Sequence, residues 1–350
     1  MNTTTAALAP FSALYGAAVR ARLALYRRGV LKSVRVGAPV ISVGNVTAGG
    51  TGKTPLVEWV ARAVAREGRR ACVLTRGYGR RDERVRVVVS DGTRLLAEAP
   101  EAGDEPRMLA ESLMGVASVV CEADRVAAAR WAASNLGAEV FVLDDGFQHL
   151  RLARDLDIVT VDATAPWGGG RLLPRGRLRE PRRGLARADC VVITRADLAD
   201  DLDGLREEAR RLSGGAHVFE ARARTARVTR LEDALTESVG SSRVQEPAAA
   251  FCATGNPRAF FEHLRRDGHA LSFTRAFADH HVYTQADLDA VAREAERSGA
   301  RALLTTAKDA VKLRTLRAAL PVYVVEIELE VSNESGLTEL VRAAIATGAA

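Results

Sequence analysis

The chain has 350 residues, enough for two ordinary domains and a sizeable core, and it contains no low-complexity tract or internal repeat. Its net charge of +6 is carried by residues 1–40, where Arg20, Arg22, Arg27, Arg28, Lys32 and Arg35 meet no acid. The rest of the chain balances near zero, which excludes general nucleic-acid affinity and points to local anionic partners. Cys72, Cys121, Cys190 and Cys252 lack any disulfide or metal-ligand spacing and fit buried thiols in a reducing cytoplasm.

Residues 9–32 read APFSALYGAAVRARLALYRRGVLK. Phe11, Tyr15, Val19, Leu23, Tyr26 and Val30 recur at helical spacing, with Arg20, Arg27 and Arg28 off that face. The segment is too polar for a membrane span and lacks a signal-peptide start or cleavage site. Two readings stay open: a basic amphipathic helix on an anionic leaflet, and a helix packed on the main domain.

PVISVGN then predicts a strand, followed by a glycine loop and a helix from Lys53 to Glu67. The loop is Ala48-Gly49-Gly50-Thr51-Gly52-Lys53-Thr54. It departs from the G-x-x-x-x-G-K-[ST] pattern at Thr47, where the first glycine belongs. A strand before and a helix after still make an anion cradle: loop amides face phosphate, Lys53 reaches the β- and γ-phosphates, and the Thr54 hydroxyl ligates Mg²⁺. Lysine is rare here, only Lys32, Lys53, Lys308 and Lys312 among fifty basic residues, so a retained lysine hints at a role for a compact ammonium.

The runs ACVLTRGY, VRVVVS, ASVVCEAD, EVFVLDDGF, LDIVTVDA and DCVVITRAD read as further strands buried on both faces. The expectation is an α/β fold: a P-loop NTPase-like core with a mostly parallel sheet. EVFVLDD delivers Asp144 and Asp145 to a strand end, where two adjacent acids argue for a bound cation. Seven arginines in 171–187 face a single acid, Glu180; they suit a phosphate grip or a solvated basic loop. VITRAD resembles the guanine-reading element of GTPases with Arg195 for lysine, although a strand followed by a polar turn explains it as well.

HVFEARARTARVTRLED, around 216–232, alternates charge and apolar residues as an extended linker. AAAFCATGNPRAFFEHL, ALLTTAKDAVKL and PVYVVEIELEV then begin a smaller C-terminal α/β domain. Its AFADHHVYT holds His280 and His281 beside Asp279, a loop suited to acid–base work or to no chemistry at all. The expected division is 1–35 for the basic helix, 36–218 for the P-loop unit, and 219–350 for the β-stranded linker with the second unit.

Taken in order, PVISVGNVTAGGTGKTP, LTRGYGR, GDEP, LDDGFQHLRLARDLDIV, GRLLPRGRLREP, FCATGNPRAFFEHL, ADHHVYT and LLTTAKDAVKL resemble the tetraacyldisaccharide 4′-kinase family of the lipid A pathway. The likeness extends to about residue 313, and Thr47 belongs to that family's own pattern. The resemblance implies ATP-dependent, Mg²⁺-assisted phosphorylation of the 4′-hydroxyl of an acylated glucosamine disaccharide 1-phosphate. It places the enzyme peripherally on the cytoplasmic face of the bacterial inner membrane, against an anionic surface, with no nucleic acid and no obligate protein partner. It implies Asp104 in GDEP as catalytic aspartate, His280 as its dyad partner, Asp144 with neighbouring Asp145 as the magnesium-associated acids, and Arg179 and Glu180 as a polar site pair. The competing reading is a membrane-recruited NTPase switch, carried by VITRAD and the basic helix.

Overall fold

The apolar runs become strands of one sheet in this computed structural model, which describes residues 8–234 and 242–348. The strands are β1 Val40–Asn45, β2 Ala71–Thr75, β3 Val87–Ser90, β4 Ala117–Cys121, β5 Val140–Asp144, β6 Leu156–Asp162, β7 Cys190–Thr194, β8 His217–Arg230, β9 Ala248–Cys252, β10 Leu271–Ala276, β11 Ala302–Thr306 and β12 Val322–Val331. The α-helices longer than one turn are α1 Ala9–Arg27, α2 Lys53–Arg66, α3 Asp104–Ser112, α4 Arg125–Leu136, α5 Leu202–Leu212, α6 Pro257–Arg266, α7 Gln285–Arg297, α8 Ala307–Leu313 and α9 Glu334–Thr347.

The sheet order is β10-β9-β11-β12-β8-β7-β6-β1-β5-β2-β4-β3. Among the strand pairs of the described residues, only β8–β12 and β3–β4 are antiparallel. Every residue of β1, β2, β4, β5, β6 and β7 is buried, as strands covered by helices on both faces must be. The order reverses about β1, so the P-loop lies at the carboxyl end of a central strand, beside the crevice where α/β sheets bind ligands.

β8 makes the seam. Its first residues pair parallel with β7, and from Ala221 onward it pairs antiparallel with β12. The charge alternation that reads as linker is a cross-strand ion ladder: Arg222 meets Glu330 and Arg227 meets Glu326, both at 2.8 Å, with Arg224 and Glu328 between them. The chain is thus one continuous sheet rather than two sheets joined by a free strap.

The last helix departs from the 219–350 division. Leu337, Val341, Ala344 and Ile345 of α9 pack in the same core as Leu56, Val60 and Val64 of α2. The cause is β12, whose antiparallel course brings Val331 back beside Ala221 and delivers the chain to the first half.

The N-terminal helix docks through a small and polar seam. Ser12 Oγ donates to Leu172 O and Tyr15 OH to Arg179 O, both at 2.8 Å, and Arg22 Nη1 donates to Gln148 O at 3.0 Å. Ser12 and Gly16 are its buried residues. Phe11 and Leu14 are left 63% and 71% exposed, so the helix is packed and still presents an apolar strip. No helix among the described residues is long and apolar enough to cross a membrane.

Candidate active site

The missing P-loop glycine has a local cause. Thr47 is buried and bridges antiparallel to Leu178. Arg179 N donates to Val46 O at 2.8 Å, and Ala48 N to Arg177 O at 2.6 Å. Residues 46–48 are therefore paired with the arginine segment, and none of them has a positive φ. The turn comes later: Gly49 has φ 112° and Gly52 φ 74°, where a side chain would be strained.

Polar groups hold the loop's carbonyls. Arg177 Nε donates to Ala48 O, Arg195 Nη1 to Gly50 O, and Thr194 Oγ1 to Thr51 O, at 2.8–2.9 Å. The Thr51 hydroxyl is buried between Asn45 and Thr160. No side chain caps α2, so the amide donors of its first turn are open to an anion. The second half touches this loop directly: a Cβ on Gly255 would lie 2.4 Å from Gly50 N.

β5 ends in two acids with opposite fates. Asp145, at φ 55°, pairs with Lys53 Nζ at 3.3 Å and accepts two bonds from Arg179 Nη1 at 2.6–2.7 Å. Burial pushes its carboxyl up, but Lys53 and Arg179 outweigh it and bring the pKa to about 2. Asp144 is buried with the Thr75 hydroxyl donating to Oδ2 at 2.9 Å. Burial, then Glu105 and Asp145, push it up to about 6. Asp145 is thus paired with two protein cations, while the charge of Asp144 is offset only in part, by Lys53 and the Thr75 hydroxyl.

Glu180 differs from its expected place. It is 1% exposed and accepts from Gln148 Nε2 and from Arg187, whose guanidinium covers the Phe147 ring. It braces the wall behind Arg179 rather than facing the cleft.

Asp104 begins α3, and His280 faces it from the second half, Nδ1 standing 3.8 Å from Asp104 Oδ2. His280 has φ 62°, an uncommon backbone for histidine of the kind that collects at functional sites. His281 turns the other way, stacked on Phe277 with Nε2 3.1 Å from Asp287. The two adjacent histidines are therefore distinguished by geometry. Lys308 and Lys312 of α8 reach the acids around this pair, Lys308 pairing with Glu105 and Asp279 and Lys312 with Asp104. The rarity of lysine signalled them, but sequence offered no partner. Arg195 and Asn256, which meet at Asp162 beside the loop, were missed as loop braces. Asp197 of VITRAD is held by Arg266, whose Nη2 donates to its carbonyl at 2.8 Å.

One cleft of about 2350 Å³ is lined by Gly49–Thr54, Glu105, Asp144, Asp145, Arg179 and His280. The volume exceeds the roughly 300–1,000 Å³ of ordinary small-ligand pockets and leaves room for a second, bulky substrate beside a nucleotide.

A braced P-loop, a lysine at its helix start, and acids with a histidine across the cleft define a phosphotransferase of the P-loop class. Residues 4–346 match the family model described as tetraacyldisaccharide-1-P 4′-kinase. A tetraacyldisaccharide 4′-kinase of Anaeromyxobacter sp. (strain Fw109-5) is 47% identical over 96% of this chain and 90% of its own length. That of Geobacter metallireducens is 40% identical over 95% and 96%. The crystal structure of LpxK from Aquifex aeolicus, solved in complex with ATP, is 31% identical and superposes with a TM-score of 0.78 over 98% of this chain and 100% of that one. The chain belongs to the tetraacyldisaccharide 4′-kinase family.

Proposed function

We propose that this lipid A disaccharide 4′-kinase moves the γ-phosphoryl group of ATP to the 4′-hydroxyl of tetraacyldisaccharide 1-phosphate. In this reading residues 36–218 bind nucleotide, and the unit that begins at 219 delivers His280. Loop amides and Lys53 hold the phosphates, and Arg179 sets the Lys53–Asp145 pair. Asp104 accepts the proton of the sugar hydroxyl, a poor nucleophile near neutral pH, with His280 beside it.

The donors suit Mg²⁺. Asp144, buried beside two further acids at a strand end and lining the same cleft as Thr54, is a hard-oxygen site in need of a cation. Bound there, the ion supplies charge neutralisation of the phosphates.

The membrane reading rests on α1. The exposed Phe11 and Leu14 and the basic residues of 20–35 form a strip suited to the cytoplasmic face of an anionic inner membrane. The acyl chains of the substrate then stay in the leaflet while its sugar enters the cleft.

One observation carries the assignment: the P-loop lysine and His280, which stands 3.8 Å from Asp104, line one cleft built from both halves of the sheet. Purified protein, MgATP and the lipid disaccharide monophosphate test it, with mass detection of the product.

A further inference from the structure

The acids at the start of α3 receive more than His280. Lys312 Nζ lies 3.0 Å from Asp104 Oδ2, and its side chain is 7% exposed. His280 approaches that same oxygen. No donor among the described residues bonds Asp104 Oδ1. Lys312 also lies farther, 3.7 Å, from Asp309 Oδ1; Asp309 Oδ2 accepts from Ala253 N and from the hydroxyl of Thr306, the N-cap of α8. The Tyr283 ring walls the ammonium at 6.0 Å.

We propose that Lys312 is a positioning residue for the phosphoryl transfer: it holds Asp104 Oδ2 together with His280, so that Oδ1 is the oxygen left to take the acceptor's proton. The inference rests on the proposed role of Asp104. In the step, the sugar O–H bond breaks and its proton goes to Oδ1. The sugar oxygen bonds the γ-phosphorus, and the bond from that phosphorus to ADP breaks.

A purely structural role is met elsewhere. Arg314 with Glu111, and Lys308 with Glu105, already join α8 to α3. Lys312 is spent instead on the carboxylate that faces His280. The charged groups around Asp104 are Lys312, Lys308 and Asp309 from α8, Asp279 and His280 from the loop before α7, and Glu105 on its own helix. Among them Lys312 makes the shortest approach to Asp104.

Lys312→Gln and Lys312→Arg in the full-length enzyme decide the matter. Lys312→Gln should lower kcat by on the order of 10-fold or more, within the ~10²–10⁴ that a positioned base supplies, and leave KM for ATP unchanged. The acid limb of its kcat–pH profile should move up by about one unit, because an ion-pair partner lowers a carboxyl by roughly 1–3 units. Lys312→Arg should restore both rate and limb. A Lys312→Gln limb that coincides with wild type, or a rate loss that Lys312→Arg shares in full, would overturn the inference. The functional reading fails separately, when wild type itself makes no bisphosphorylated lipid.

Discussion

Lys53 Nζ stands 3.3 Å from Asp145 Oδ1, so the P-loop lysine is held by the acid that follows β5. Arg179 grips the same carboxylate from the arginine segment. The three residues come from a helix start, a strand end and a loop, and they share one partly buried charge centre. Lys53→Met should lower kcat by about 10²–10³, the scale of losing one preorganised cation or donor at a developing charge. Single-turnover kinetics at saturating ATP check this, and a loss confined to KM would contradict it.

Asp144 predicts a stability that rises when a site residue is removed. Its folded pKa of about 6 lies above the ordinary carboxyl value. As pH climbs from about 4 to 6 the unfolded chain loses this proton first, so stability falls through that window and stays reduced above it. Asp144→Asn should therefore be more stable at pH 7.5 by on the order of 2–3 kcal/mol, with the gain fading below about pH 4. Urea unfolding at the two pH values measures it. An equal or lower stability of the variant at pH 7.5 contradicts the assigned environment.

Asp104→Ala should spare ATP binding and depress kcat by about 10²–10⁴, the range for loss of a general base. Isothermal titration with ATP beside a lipid kinase assay separates the two effects. A parallel loss of ATP affinity would move Asp104 from the chemistry to the nucleotide site.

Glu180→Ala is expected to act through folding. It strands Arg187 against Phe147 and removes one of the two acceptors of Gln148 Nε2, which should cost about 3–5 kcal/mol, the scale for breaking a buried pair. A lowered Tm with ATP affinity retained in the folded fraction fits this. An unchanged Tm with lost activity would return Glu180 to the ligand-facing set.

Much of the fold is legible because each buried strand is a short apolar run with its own turn signals, and because LDD falls at a strand end and GKT at a helix start. What sequence leaves open depends on partners far along the chain. Thr47 makes sense only once Leu178 pairs with it, 131 positions away by subtraction of the two residue numbers. Asp144 and Asp145 look equivalent as neighbours, yet one meets Thr75 and the other Lys53 and Arg179. The alternation in 216–232 reads as exposed linker because its ion-pair partners lie in β12. The last helix reads as part of the second unit until β12 is seen to carry the chain back to α2.

Phe11 and Leu14 offer a test of the membrane contact. Phe11→Ser with Leu14→Ser should weaken sedimentation with anionic vesicles, since each buried side chain of this kind contributes about 1.5–3 kcal/mol. Activity on detergent-dispersed substrate should be unchanged. Equal vesicle binding by the variant would remove α1 from the membrane account.

The most direct test is the product itself. Wild-type protein incubated with MgATP and tetraacyldisaccharide 1-phosphate should yield the same lipid carrying one additional phosphoryl group on the 4′-oxygen, detected by mass and located by fragmentation. ATP-binding protein that leaves the lipid monophosphate unchanged, or phosphorylates another position, would contradict the account.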